Sequence, residues 1–177
     1  MFKPTLAAAT LTLAFAATPN IAETQNNEKT PKRFTGIYSF QGQTDSVSGP
    51  FGTLSCTDFQ QFAPDLICAN SSLLELREDG TASTTIAGIG DFSDSYGTWS
   101  KTDRREITIN WISIVYDPMG VATNWALQTT VLSFAPGLDD LTTTFEINWY
   151  PIADDPTAPM NPPDITFSGS STGQRFN

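Results

Sequence analysis

The sequence predicts an all-β fold, an antiparallel up-and-down barrel of about eight to nine strands. Three observations carry that reading. No segment has a helical apolar stripe, short apolar-rich runs alternate with turn residues from Arg33 onward, and the long runs follow one another in simple succession. A meander of this kind can close on itself and so remove its exposed edges; a two-sheet sandwich is the competing arrangement.

The first residues read as an export signal. Met1-Phe2-Lys3 supplies one positive charge, Leu6 to Ala17 is an uncharged apolar run, and Ala14-Phe15-Ala16 or Ala22 offers a cleavage point. The run is too short to span a bilayer, so residues 1–22 are expected to be a signal peptide. Residues 23–32 (ETQNNEKTPK) are polar and aperiodic, a disordered lead-in to one barrel domain over 33–177. No second apolar stretch is long enough for an integral membrane segment, and the expected location is secreted or periplasmic.

Loss of the first 22 of 177 residues leaves 155, enough for one real core, and takes Lys3 with it, so the net charge goes from −10 to −11. Phosphate backbones repel such a polyanion, which argues against a nucleic-acid partner. The two cysteines, Cys56 and Cys68, flank CTDFQQFAPDLIC. In an oxidising compartment an even pair points to a structural disulfide, and without histidine two thiols do not complete a metal site.

The strands follow in order: FTGIYSF (34–40), FGTLSC (51–56), SLLELR (72–77), TASTTIAG (81–88), YGTWSK (96–101), REITINWISIVY (105–116), VATNWALQTTVLSF (121–134), LTTTFEINWY (141–150) and ITFSGS (165–170). Asp79-Gly80 is a strong hairpin signal between the third and fourth. Asp117-Pro118-Met119-Gly120 suits a type I turn with its glycine free to form a bulge. APGLDD (135–140) closes the next hairpin, and PIADDPTAPMNPPD (151–164), with five prolines, is a surface loop before the last strand.

If Asp117 pairs with Val121, Trp111 faces Leu127 and Ser113 faces Trp125, so odd positions share one side. The next strand repeats the parity, with Leu141, Phe145, Ile147 and Trp149 odd. On this register Trp111, Trp125, Leu127, Phe145 and Trp149 all point inward. They either line a pocket for an apolar or flat ligand or simply fill the barrel. Ile112, Ile114 and Tyr116 leave an apolar patch outside.

Gly97-Thr98-Trp99 followed by Arg104-Arg105 resembles the glycine-x-tryptophan and arginine signature of calycin-type barrels, the group that includes lipocalins and avidins. The order DG…GTWSKTDRREITI…YDPMG is similar to secreted bacterial lipocalin-like proteins, over roughly Leu73 to Trp149. In lipocalins and avidins the motif opens the first strand, whereas here it stands mid-chain. The resemblance implies that Trp99 closes one barrel end, with Arg104 or Arg105 across its ring in a structural cation–π contact.

The chain has no histidine, which removes Ser-His-Asp and Cys-His catalysis and every imidazole metal site. Glu75 with Arg77 reads as a surface pair, Glu146 as a solvated strand residue, and the aspartate pairs of the loops as solvation without calcium-loop spacing. No catalytic residue, metal or cofactor is assigned. The leading expectation is a non-enzymatic barrel that binds or sequesters a small hydrophobic ligand. The alternatives are an isomerase or cyclase of allene-oxide-cyclase-like type, and a surface interaction module with a filled barrel.

Overall fold

The computed structural model describes residues 32–64, 66–87, 91–92, 94–117 and 119–176. The leader, all of the lead-in but Lys32, and Pro118 of the turn lie outside the described residues. A short 3-10 turn, Lys32–Phe34, leads into β1 (Gly36–Gly49). There follow β2 (Gly52–Ser55), a one-turn helix α1 (Cys56–Phe59), β3 (Ala69–Leu76), β4 (Thr81–Ala87) and the two-residue β5 (Asp91–Phe92). The second half is β6 (Ser95–Asp103), β7 (Glu106–Tyr116), β8 (Ala122–Phe134), β9 (Asp140–Pro151) and β10 (Ile165–Arg175).

Eight of these strands pair antiparallel in a ring, β1-β3-β4-β6-β7-β8-β9-β10, which closes because β10 pairs back onto β1. The barrel, not the sandwich, is the architecture. β2 extends the ladder beside the far half of β1, and β5 adds two residues to β7. No helix among the described residues is long and apolar enough to cross a membrane.

The seam between β1 and β10 depends on missing side chains. Gly42, Gly169 and Gly173 face inward there. A Cβ at Gly169 would lie 2.1 Å from the Gln43 carbonyl oxygen and 2.5 Å from the Phe145 ring. At Gly173 it would lie 2.6 Å from the Phe40 ring. The glycines thus let the wall bend sharply while aromatic rings cover the bare backbone, a common device at barrel corners. A bulge at Asp45, between the Thr44–Gly169 and Ser46–Ser168 pairs, resets β1 so that both Thr44 and Val47 are buried.

The β3–β4 and β7–β8 hairpins share one construction. Gly80 N–H donates to the Arg77 carbonyl and Arg77 N–H to that of Thr81; Gly120 does the same to Asp117, and Asp117 to Val121. Each glycine sits at positive φ, +83° and +79°. Asp117 Oδ1 also accepts from the N–H groups of Met119 and Val121, at 2.9 and 2.8 Å. The expected Asp117–Val121 turn is present.

The register beyond it is not the expected one. Tyr116 pairs with Ala122, but Val115 pairs with Asn124, so Thr123 is an extra residue on β8. That bulge slips the ladder by one: Trp111 faces Gln128, Ile109 faces Thr130 and Ser113 faces Ala126. A one-residue slip turns every side chain to the other face. The inward set of β8 is therefore Ala126, Gln128, Thr130, Leu132 and Phe134, while Trp125 and Leu127 point outward. β7 and β9 keep the odd inward parity read from the sequence.

Cys56 and Cys68 form a disulfide across a separation of 12 residues. Ser55 caps the helix that begins at Cys56, its Oγ accepting from Asp58 N–H at 3.1 Å. Thr44 N–H donates to the Cys68 carbonyl at 2.8 Å, tying the loop to the β1 bulge. Unfolded, unreduced protein should titrate no free thiol, and reduction should lower stability by about 3 kcal/mol in the chain-entropy account. Gly120→Val meets no neighbouring atom, so its cost should be backbone strain alone. Unfolding free energy lower by about 1–2 kcal/mol, read as a lowered urea midpoint at unchanged slope, is the expected result.

Candidate functional site

The barrel interior divides into two apolar ends and a mixed middle. At the first end Phe34 is fully buried, with its ring 4.8 Å from Phe134 and edge-on to Trp99 at 6.4 Å. Trp99 is held by its indole N–H to the Arg77 carbonyl at 3.1 Å and by its backbone N–H to the Gly80 carbonyl at 2.7 Å. Tyr38 donates to the Phe34 carbonyl at 2.8 Å, and burial raises its pKa above the usual phenol value, against the lowering pull of Arg175. At the disulfide end Val47, Val115, Ala126, Ile147 and Phe167 are buried, with Phe59, Leu66 and Trp149 against them.

Trp99 is buried at this end against Phe34, and the cations here are not Arg104 or Arg105. Arg33 stacks over Phe34 at 4.7 Å and donates to the Arg104 carbonyl; Arg175 lies 5.8 Å over Tyr38 and donates to the Thr35 carbonyl. Arg104 and Arg105 occupy the β6–β7 turn with exposed side chains, and only their backbone carbonyls serve the closure, Arg105 accepting from Phe134 N–H at 2.8 Å. A turn position aims its side chains at water, so the expected Trp99–arginine contact is replaced.

Between the two ends lies a cavity of about 50 Å³, room for a few ordered waters. Trp111, Ile109, Phe40 and Phe145 give it apolar walls, with Leu74, Ile86, Leu132 and Ile147. Asn70, Ser72, Thr84, Gln128, Thr130, Thr143 and Ser171 give it polar ones. Trp111 Nε1 and Gln128 Nε2 both donate to Thr130 Oγ1, at 3.0 and 2.8 Å. Thr143 and Ser171 hydroxyls bond to each other, and Thr84 Oγ1 donates to the Leu73 carbonyl at 2.8 Å. Among the described residues β4 pairs with β6 from Thr81–Thr98 to Thr84–Ser95.

The five residues expected to share a pocket are dispersed. Trp111 and Phe145 line the cavity. Trp149 is inward but belongs to the disulfide end, 4.9 Å from the Phe167 ring. Trp125 and Leu127 are on the outer wall, because of the Thr123 slip, beside Ile114 and Ile112 respectively. Trp125 Nε1 donates to the Ile152 carbonyl at 3.1 Å and so anchors the proline-rich loop to the barrel wall. The polar lining was missed for a definite reason. Inward hydroxyls and amides look like solvent-facing ones when parity is judged by hydropathy, and only the bulge at Thr123 reveals which face of β8 is which.

Outside the cavity Glu75, Asp79 and Asp155 are held by local hydrogen bonds. Arg77 meets Glu75 Oε2 at 2.5 Å on a half-exposed strand face, and that hydrogen bond holds the Glu75 carboxyl below its usual range. Asp79 and Asp155 each accept from a threonine two residues on, which lowers both pKa values. Among the described residues no group of three or more His, Cys, Asp or Glu side chains is placed to hold a metal.

The closure makes a sharp contrast measurable. Phe34→Ala should cost about 3–5 kcal/mol in denaturant unfolding, whereas Arg104→Ala and Arg105→Ala should each stay within about 0.5 kcal/mol of wild type. A strong loss at either arginine would restore the guanidinium–Trp99 contact. No protein-family model matches the chain and no curated protein matches it by sequence, so its function has to be argued from this geometry.

Proposed function

We propose that the chain is an exported, lipocalin-like binding protein that holds a small uncharged molecule in the mid-barrel cavity and does not transform it. The observation that carries this reading is the lining: among the described residues, none of the fifteen side chains that line it is ionisable. An isomerase or cyclase needs a group that gains and loses a proton beside the substrate, and the cavity offers hydroxyls and amides instead. Apolar walls supply affinity through burial, at about 25 cal/mol per Å² before association costs. The volume favours a compact ligand over a long acyl chain. Support for export comes from the leader of Leu6 to Ala17 and from the Cys56–Cys68 disulfide.

A second reading, a surface interaction module, has its own observation. The outer wall carries Ile112, Ile114, Trp125, Leu127 and Tyr150 in adjacent registers, with Tyr96 61% exposed beside Ile112. One experiment separates the two. Native mass spectrometry of protein purified from its own host should show a retained small molecule on a monomer-sized species. Titration with that molecule should quench tryptophan emission in Trp125→Phe and fail to do so in a folded Trp111→Phe variant. A ligand-free protein whose mass rises with concentration would favour the surface module instead.

A further inference from the structure

The charges of this chain are sorted by barrel end. Every lysine and arginine among the described residues stands at the Phe34–Trp99 end: Lys32 and Arg33 before β1, Arg77 in the β3–β4 turn, Lys101, Arg104 and Arg105 about the β6–β7 turn, and Arg175 closing β10. The disulfide end is built from residues 44–68, 117–121 and 151–164, which contain no lysine or arginine. Its aspartates include Asp58, Asp117, Asp154, Asp155 and Asp164. Among the described residues the three most exposed large apolar side chains lie in the same segments: Met160 at 93%, Met119 at 85% and Phe62 at 76%. Phe51, Ile67 and Val121 are exposed there too. The segments touch one another around the rim. Phe51 stacks on Phe59 of α1 with ring centroids 5.3 Å apart. A Cβ at Gly49, beside the β1–β2 turn, would lie 3.1 Å from the Asp164 carbonyl oxygen. Ile152 N–H donates to the Thr123 carbonyl at 3.1 Å, next to the Asp117–Val121 turn.

We infer that the rim of the disulfide end docks a basic amphipathic segment of another protein, its apolar side chains on the methionines and rings of the rim and its lysines or arginines among the aspartates. The inference goes beyond the cavity reading and does not depend on it. Apolar side chains exposed together mark interaction sites on folded proteins, and unbranched methionine repacks readily against a partner. Charge decides the class. Aspartates in segments without a base attract and orient a cationic partner, and they repel an anionic protein or an anionic lipid surface. A basic amphipathic helix presents both kinds of contact along one face. A second copy of the chain fits less well. Its cations share their end with Glu106, Asp139 and Asp140, and Lys32 and Arg77 are already paired with Glu78 and Glu75.

The test uses three probes on the mature protein: a labelled amphipathic peptide of lysine and leucine, its counterpart with glutamate for lysine, and phosphatidylcholine vesicles. Binding is read from peptide fluorescence anisotropy and from vesicle co-sedimentation. The lysine peptide should bind saturably at low salt and lose at least about tenfold in affinity by about 0.5 M salt. The glutamate peptide and the vesicles should not bind. The double substitution Met119→Ser with Met160→Ser should weaken the lysine peptide at least about fivefold, and so should Asp154→Asn with Asp155→Asn, which keeps an acceptor for the Thr157 N–H. Both pairs are at the surface, so melting temperatures should be unchanged, and Glu78→Gln at the opposite end should leave binding as in wild type. No binding of the lysine peptide, binding that neither rim pair weakens, or equal binding of the glutamate peptide would overturn the inference. Binding to vesicles alone would overturn it in favour of a lipid surface. A mass that rises with protein concentration and falls back in the methionine pair would overturn it in favour of a second copy.

Discussion

The hydrogen-bonded seam between β1 and β10 is the constraint on which everything else rests. It joins residues as far apart as Tyr38 and Arg175, and without it the meander would be an open sheet with two bare edges. The seam forms only because three inward positions carry no side chain, so that the wall can turn tightly over Phe40 and Phe145. Both ends of the barrel are then defined by it. The chain entering β1 brings Phe34 under Trp99 at one end, and the bulge at Asp45 delivers Val47 to the disulfide end.

Much of this architecture could be read from the residues, and the reasons differ by element. The turns were readable because Asp-Gly and Asp-x-x-Gly demand a left-handed glycine and so mark their positions sharply, as Gly80 and Gly120 do. The faces of β7 and β9 were readable because isoleucine and tryptophan alternate there with polar residues. The far half of β1, QTDSVSG, was not, because a strand that changes partners from β3 to β2 and carries a bulge has no hydrophobic period to find. β8 is the instructive failure. Its odd positions hold Trp125, Leu127 and Val131, its even ones Ala126, Leu132 and Phe134, so apolar content does not choose a face. The choice falls to Thr123, an unremarkable threonine whose role is a matter of hydrogen-bond geometry. The candidate site inherited that error, gaining the outward Trp125 and Leu127 and losing the inward Gln128 and Thr130.

The four tryptophans show how little the residue type alone says about role. Trp99 stops one end, Trp149 helps fill the other, Trp111 walls the space between them, and Trp125 holds a loop from outside. Each indole does what its ring size suits, covering area. The polar edge decides the rest: where the N–H finds a backbone carbonyl, as in Trp99 and Trp125, the ring fixes a turn or loop, and where it finds Thr130 it joins the lining of the cavity.

The seam also sets an order of events for a chain that emerges N-terminus first. β1 pairs early with β2 and β3, and the Cys56–Cys68 loop can close within the same stretch. Its other edge has to wait for β10, the last strand to appear, so the ring cannot be sealed while any part of the chain is still being delivered. Contacts of such long sequence separation form slowly, because the entropy of closing the intervening chain is spent before the ladder repays it. A nascent chain therefore stays an open meander until its last strand is free.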